Sequence, residues 1–225
     1  MRFGSSTILF VVLLGGLSPT QFVRADLIAY WSFNSLAQNT NSTTTFAPDL
    51  GAGAIRLFGC TSGGTSTPSG STLNAIPPDI AGQNLVLVKG DNNGAELVCS
   101  FAMAGFVNPV LTFADRRTGT GFDSIRVSYS TDGATFTDVA APYQPTTGEF
   151  ELRTIDLSNI EALDGAATAY VKFTFEGANS PSGQYRIDNV QINAIDTSPM
   201  SKPFTVIASG IVIALLFGYG SRRRH

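Results

Sequence analysis

From Leu27 onward, apolar and polar residues alternate with a period of two in one segment after another. In LIAYWSFN, Leu27, Ala29, Trp31 and Phe33 share one face; in GAELVCSFAMAG, Leu97, Cys99, Phe101 and Met103 do. In FDSIRVSYS, Ile125, Val127 and Tyr129 oppose Ser124, Arg126 and Ser128. In TAYVKFTFE, Ala169, Val171, Phe173 and Phe175 oppose Thr168, Tyr170, Lys172 and Thr174. Successive side chains of a strand point to opposite faces, so each segment predicts a strand with one buried face. Trp31 lies in phase with its apolar neighbours and is expected in the core. LVLV at 85–88 and VLTF at 110–113 lack the alternation and read as more deeply buried strands.

Asp132-Gly133 is a hairpin signal, because both residues tolerate the positive φ angles of tight turns. Only Leu157–Leu163 could host a helical turn. Parallel pairing needs long crossovers, for which the chain has no room. The pattern therefore predicts an all-β fold, an antiparallel two-sheet β-sandwich of jelly-roll type.

Two stretches depart from simple alternation. Residues 39–82 are dense in Thr, Ser, Gly and Pro and read as a long loop region, with CTSGGTSTPSGST as its flexible part. In QYRIDNVQI, Tyr185 and Ile187 occupy odd positions whereas Val190 and Ile192 occupy even ones. Keeping both halves buried requires a bulge or kink at Asp188-Asn189.

The two ends are of another kind. Residues 1–25 place Arg2 before an apolar run from Ile8 to Leu17, followed by Val23-Arg24-Ala25. That is the layout of a secretory signal peptide cleaved after Ala25; an uncleaved anchor is the competing reading. At the other end, residues 196–225 contain an apolar run at 204–220, followed by Arg222, Arg223 and Arg224. As a helix, this run would measure about 26 Å, at the lower limit for crossing a bilayer. It has no polar face, so it is not expected to be a core helix. Positive charge stays on the cytoplasmic side, which places the body outside and the Arg tail inside before any cleavage. The expected divisions are thus a signal peptide (1–25), a sandwich domain (26–195) and a C-terminal segment (196–225).

Between Asp26 and Ile195 there are eight basic and sixteen acidic residues, a net charge of −8, although the whole chain carries only −3. An acidic body does not suit phosphate-backbone binding, so no nucleic-acid partner is expected. The single histidine is His225, the last residue. The body therefore has no His-based triad, imidazole general base or His-ligated metal site.

The spacer from Ser198 to Pro203, the apolar run and the Arg cluster together resemble the bacterial PEP-CTERM sorting signal, which an exosortase-type membrane enzyme recognises and removes. Pro199 and Pro203 stand in SPMSKP, where that signal has Pro-Glu-Pro; a plain single-pass membrane anchor is the alternative. The series SIRVSYSTDGATFTDV, ELRTIDLSNIEALDG and AYVKFTFEGANSPSGQYRIDNVQI is similar to jelly-roll domains of exported bacterial surface proteins and to distant carbohydrate-binding modules. That second resemblance implies a structural calcium held by Asp188, with Asn34 supplying a carbonyl oxygen. The competing reading is an Asp-Asn pair that hydrogen-bonds a bulged backbone without metal. No cofactor beyond that calcium is expected.

Further candidates come from single residues. Cys60 and Cys99 are the only cysteines, and an even count in an exported body suggests one disulfide; Cys99 also reads as a buried thiol in phase with Leu97 and Phe101. Glu149 and Glu151 sit two apart, where their side chains run parallel rather than facing across a cleft, so they read as a solvated strand face. Asp91-Asn92-Asn93-Gly94 with Glu96 lacks EF-hand spacing and reads as a turn. Tyr143, between Pro142 and Pro145, is the candidate for an exposed sugar-stacking ring on a loop. With no catalytic set, the expectation is an exported, non-enzymatic surface protein that meets the export machinery, an exosortase-type enzyme and extracellular polysaccharide. The alternative is a surface hydrolase or lyase working with carboxylates alone.

Overall fold

A computed structural model of the chain describes residues 25–35, 45–60, 63–66, 70–88 and 92–198. Thirteen strands among them build two antiparallel sheets. The seven-stranded sheet holds β1 (Ala25–Trp31), β3 (Leu50–Gly51), β5 (Gly63–Ser66), β6 (Asn84–Val88), β8 (Phe106–Arg117), β11 (Glu151–Asp156) and β13 (Gln184–Asp196). The six-stranded sheet runs in the order β10 (Thr137–Asp138), β9 (Ser124–Ser130), β12 (Ala169–Glu176), β7 (Glu96–Phe101), β4 (Gly53–Phe58) and β2 (Thr45–Phe46). From β6 to β9 the chain changes sheet at every step, as the expected sandwich requires.

The alternation seen in the sequence puts one face of each strand into a shared core. Leu97, Cys99 and Phe101 of β7 and Val171, Phe173 and Phe175 of β12 are buried against Leu111 and Phe113 of β8 and Ile187, Val190 and Ile192 of β13. Phe113 and Phe173 meet edge-to-face between the sheets, with ring centroids 5.4 Å apart. Trp31 is in this core, its indole N–H donating to the Phe46 carbonyl at 3.1 Å. Glu161–Leu163 forms a single 3₁₀ turn inside the segment expected to host one.

The phase change in QYRIDNVQI has the expected cause. β13 pairs with β8 along its length, and the register shifts between Asp188 and Gln191, where Asn189 adopts φ 49°. The N-terminal half of β13 pairs on its other side with β6 and the C-terminal half with β1, so the bulge falls where the neighbouring strand changes.

The reading of residues 39–82 as a loop region needs correction. Gly53–Phe58 is a six-residue strand paired along its whole length with β7, and Gly63–Ser66 pairs with β6. Ile55 and Leu57 point into the core while Arg56 and Phe58 are exposed. Burial of two apolar side chains and a full ladder against β7 outweigh the low strand propensity of the surrounding Gly and Ser.

Candidate functional site

The two sheets treat their outer faces differently. On the six-stranded sheet, cross-strand register sets the outward side chains in rows: Phe58, Glu96, Thr174 and Arg126; then Arg56, Val98, Lys172 and Ser128; then Ser100, Tyr170 and Ser130. An open groove of about 470 Å³ runs over this surface. Val98, Ser100 and Tyr170 form its floor, Arg56 and Phe58 one wall, and Asp132, Gly133 and Phe136 the other. Phe58 is 48% exposed, unusual for an aromatic ring on a strand. From strand spacing and residue rise, Phe58 and Tyr170 lie roughly 16 Å apart along the groove.

Local chemistry fixes the wall. The loop after β9 is held by Asp132, whose carboxylate accepts the N–H groups of Ala134 and Thr135 and the Ser130 hydroxyl, all at 2.8 Å. Those backbone donors hold its carboxyl at about 2, well below the ordinary range. Gly133 adopts φ 71°, and a Cβ there would come within 3.0 Å of the Tyr170 ring, so glycine lets the loop close against that ring. Lys172 lies 4.2 Å from the centre of the Phe136 ring and bonds Glu96 at 2.8 Å, tying the wall to the floor.

The sequence points to Asp132-Gly133 only as a hairpin signal and to Glu96 only beside a turn, and to none of these groove residues as ligand-binding. The signal was present in part: Phe58 is out of phase with Ile55 and Leu57, and Tyr170 is out of phase with the core residues of TAYVKFTFE. Their convergence needed the β4–β7–β12 order, which alternation does not encode.

On the seven-stranded sheet residues 70–83 cover the outer face over β1, β13 and β8, while Leu152 of the edge strand β11 stays exposed. Asn189 donates to the carbonyls of Ser71 and Leu73 at 2.6 and 2.9 Å and accepts the Tyr30 hydroxyl at 2.9 Å. Asn74 donates to Thr112 and to the Asn189 carbonyl, and Gln191 donates to the Asn74 carbonyl at 2.5 Å. The two residues expected to ligate calcium clasp the neck of this segment. Asp188 accepts the Ser71 N–H at 2.6 Å, Asn34 accepts the Gln83 N–H at 2.9 Å, and Gly70 donates to the Gly82 carbonyl between them. A Cβ at Gly82 would overlap the Asn34 side chain, which makes that approach possible only for glycine.

The fit to calcium is incomplete. Around Gly70 the Asp188 carboxylate and the carbonyls of Gly82 and Gln83 lie close together, whereas calcium takes six to eight oxygens. Both carboxylate oxygens already accept N–H bonds, from Ser71 and Asn189, and the Asn34 oxygen accepts one too. Among the described residues no group of three or more His, Cys, Asp or Glu converges. Asp188 and Asn34 here act as hydrogen-bond acceptors that hold the neck of the covering segment. Burial pushes the Asp188 carboxyl up to about 7, against the downward pull of its two N–H donors.

Tyr143 lies on a loop as expected, but its ring is not freely exposed. Its hydroxyl donates to the buried Asp115 carboxylate at 3.0 Å, beside the Tyr185 hydroxyl at 3.3 Å. The Arg153 guanidinium lies 5.2 Å above the ring and bonds Asp115 at 3.0 Å. Burial raises the Asp115 carboxyl, with Arg153 and the tyrosines pulling it back. A buried carboxylate draws its partners inward, and that pull takes Tyr143 away from solvent. Glu151 is exposed, stands opposite Asp115 in the β11–β8 register and shares Arg153 with it at 3.2 Å, and Glu149 is exposed just before β11.

The disulfide expectation is also corrected: Cys60 and Cys99 are both free thiols. Gly59 lies against Ala95, four residues along β7 from Cys99, a separation of about 13 Å where a disulfide needs Cα atoms within about 7 Å. Burial raises both thiols. The residues expected to form a signal peptide, up to Arg24, and Pro199, Pro203, Arg222, Arg223, Arg224 and the apolar run at 204–220, lie outside the described residues. Among the described residues no helix is long and apolar enough to cross a membrane.

No protein-family model and no curated protein matches the chain. Among solved structures, the chain is similar to the tandem CBM22-1–CBM22-2 domain of Paenibacillus barcinonensis Xyn10C, at 13% identity and TM-score 0.46, covering 80% of this chain and 48% of that one. It is similar to the CBM22-1 xylan-binding domain of the same enzyme, at 12% identity and TM-score 0.45, over 77% of this chain and 97% of the other. A third similarity is to the K3 cleaved adhesin domain of Lys-gingipain from Porphyromonas gingivalis W83, at 14% identity and TM-score 0.43, over 76% and 99%. Identities and TM-scores this low establish neither family nor ligand.

Proposed function

We propose that this protein binds a polysaccharide chain in the groove across its six-stranded sheet. One observation carries the reading: an elongated, uncovered groove presents the rings of Phe58, Phe136 and Tyr170 together with hydrogen-bonding side chains, on a rigid floor of paired strands. A sugar ring has an apolar C–H face and a hydroxyl rim. Aromatic faces take the first and polar side chains such as Ser100 take the second. An open groove about 16 Å long suits a chain of several sugars better than one small molecule.

The rest of the proposal concerns location. Residues 1–25 and the segment from Ser198 to Arg224 support export, followed by anchoring or exosortase-type removal of the tail. The body would then face outward at the cell envelope, where polysaccharide is the available partner. Mass spectrometry of the mature protein checks this: loss of the segment after about Ser198 supports sorting, and an intact C-terminus supports a permanent anchor.

The groove is tested by glycan-array retention of the full chain, wild type against Phe58→Ala. Retention that falls about tenfold in the variant, at unchanged melting temperature, supports the reading. Absence of retention, or retention indifferent to Phe58, sinks it. Shortening of the retained glycans would replace it with the carboxylate-dependent hydrolase or lyase.

A further inference from the structure

Charge on the groove lining is not evenly satisfied. Glu96 is neutralised by Lys172 at 2.8 Å, and Lys172 is covered on its other side by the Phe136 ring. The carboxylate of Asp132 stays ionised on the wall opposite Arg56, its hydrogen bonds spent on its own loop through Ser130, Ala134 and Thr135. Arg56 is the exception. It is exposed and makes no ion pair or side-chain hydrogen bond with any of the described residues. It projects from the same face of β4 as Phe58, two residues and about 7 Å away.

We infer that the groove selects an anionic glycan, and that Arg56 is the residue that receives its acidic group. The inference rests on the polysaccharide reading of the same groove. A pyranose stacked on Phe58 carries its exocyclic substituents about one residue pair along the strand, next to the guanidinium. Guanidinium is planar, permanently charged and weakly hydrated, and it pairs bidentately with carboxylate or sulfate oxygens. A neutral sugar leaves that capacity unused. The acidic body opposes a polyanion at long range, but beyond a Debye length of about 10 Å at 0.1 M salt this repulsion is largely screened. The contact at Arg56 therefore decides selectivity at physiological ionic strength.

Binding of the full chain is measured at about 0.1 M salt to polysaccharide pairs differing only in the acidic group. One pair is polygalacturonate and its methyl ester; the other is a sulfated galactan and its desulfated form. The expected result is about tenfold tighter binding of the acidic member of at least one pair. Which pair shows it identifies a uronate or a sulfate ester as the source. Arg56→Ala should bring the acid-to-neutral ratio to about one, and Arg56→Lys should keep part of it, because the charge remains without the bidentate fork. Equal binding of both members by the wild type overturns the anionic preference while leaving the groove reading intact. A preference that survives in Arg56→Ala overturns the role of Arg56. Binding of no member by the wild type removes this inference and the groove reading together.

Discussion

The outer faces of the two sheets are made by the same alternation, yet one is covered along its central strands and the other is open. Over the seven-stranded sheet, residues 70–83 are fastened by Tyr30, Asp188, Asn189, Gln191 and Asn34. Over the six-stranded sheet, the loop after β9 reaches only as far as Lys172 and Tyr170, and the surface beyond it forms the groove. Polar side chains on the first face spend their hydrogen bonds on the protein itself. On the second, Arg56 has no ion-pair partner among the described residues and Phe58 is half in solvent. A buried polar network specifies structure, whereas an uncovered mixture of rings and polar groups is available to a ligand. The contrast predicts that damage to the first face costs stability and damage to the second costs binding.

The largest effect should come from Asn189→Ala. The variant loses three side-chain hydrogen bonds, leaves the carbonyls of Ser71 and Leu73 without their Asn189 donor and puts alanine at φ 49°. A loss of about 4 kcal/mol in denaturant unfolding is expected, with glycan retention by the surviving folded protein unchanged. Next comes the pH dependence of Asp188. Its folded value of about 7 lies above the ordinary carboxyl value of 3.8. The folded state therefore binds the extra proton between these values, and its contribution is complete below about pH 4 and lost as pH rises through 7. Over that window Asp188→Asn should gain on the wild type by on the order of 3 kcal/mol, read as a melting-temperature difference against pH in chelated buffer. A parallel pair of curves would rule this out.

Phe58→Ala inverts the pattern. A side chain 48% exposed on an intact ladder should leave melting nearly unchanged while glycan binding weakens about tenfold. A large stability loss without a binding loss would make Phe58 part of the framework and would erase the contrast. The smallest effect is that of reductant. With both thiols free, dithiothreitol should not shift the melting temperature, and denatured, unreduced protein should titrate as two thiols.

Much of the sandwich was legible because burial on one face leaves a period of two in the sequence. The strands at Glu96–Phe101, Ser124–Ser130 and Ala169–Glu176 and the bulge at Asp188-Asn189 all followed from it. β4 did not, because two core residues, Ile55 and Leu57, are too few to register against a Gly- and Ser-rich background. Tyr143 was placed on its loop correctly, yet nothing nearby in the chain announces Asp115, 28 residues away, which turns it inward. Cys60 and Cys99 look pairable by count, and only strand register shows the distance between them.

The sequence by itself determined the all-β class, the inward face of most strands and the exclusion of imidazole chemistry, since each depends on residue type at local spacing. Tertiary structure alone decided which outward face stays bare and which residues meet there. Arg56 and Phe58, Glu96 and Ser100, and Tyr170 and Lys172 come from three strands spread over more than a hundred residues. Only hydrogen-bond register between those strands brings them onto one surface, and register is a property of the paired chain rather than of any one segment.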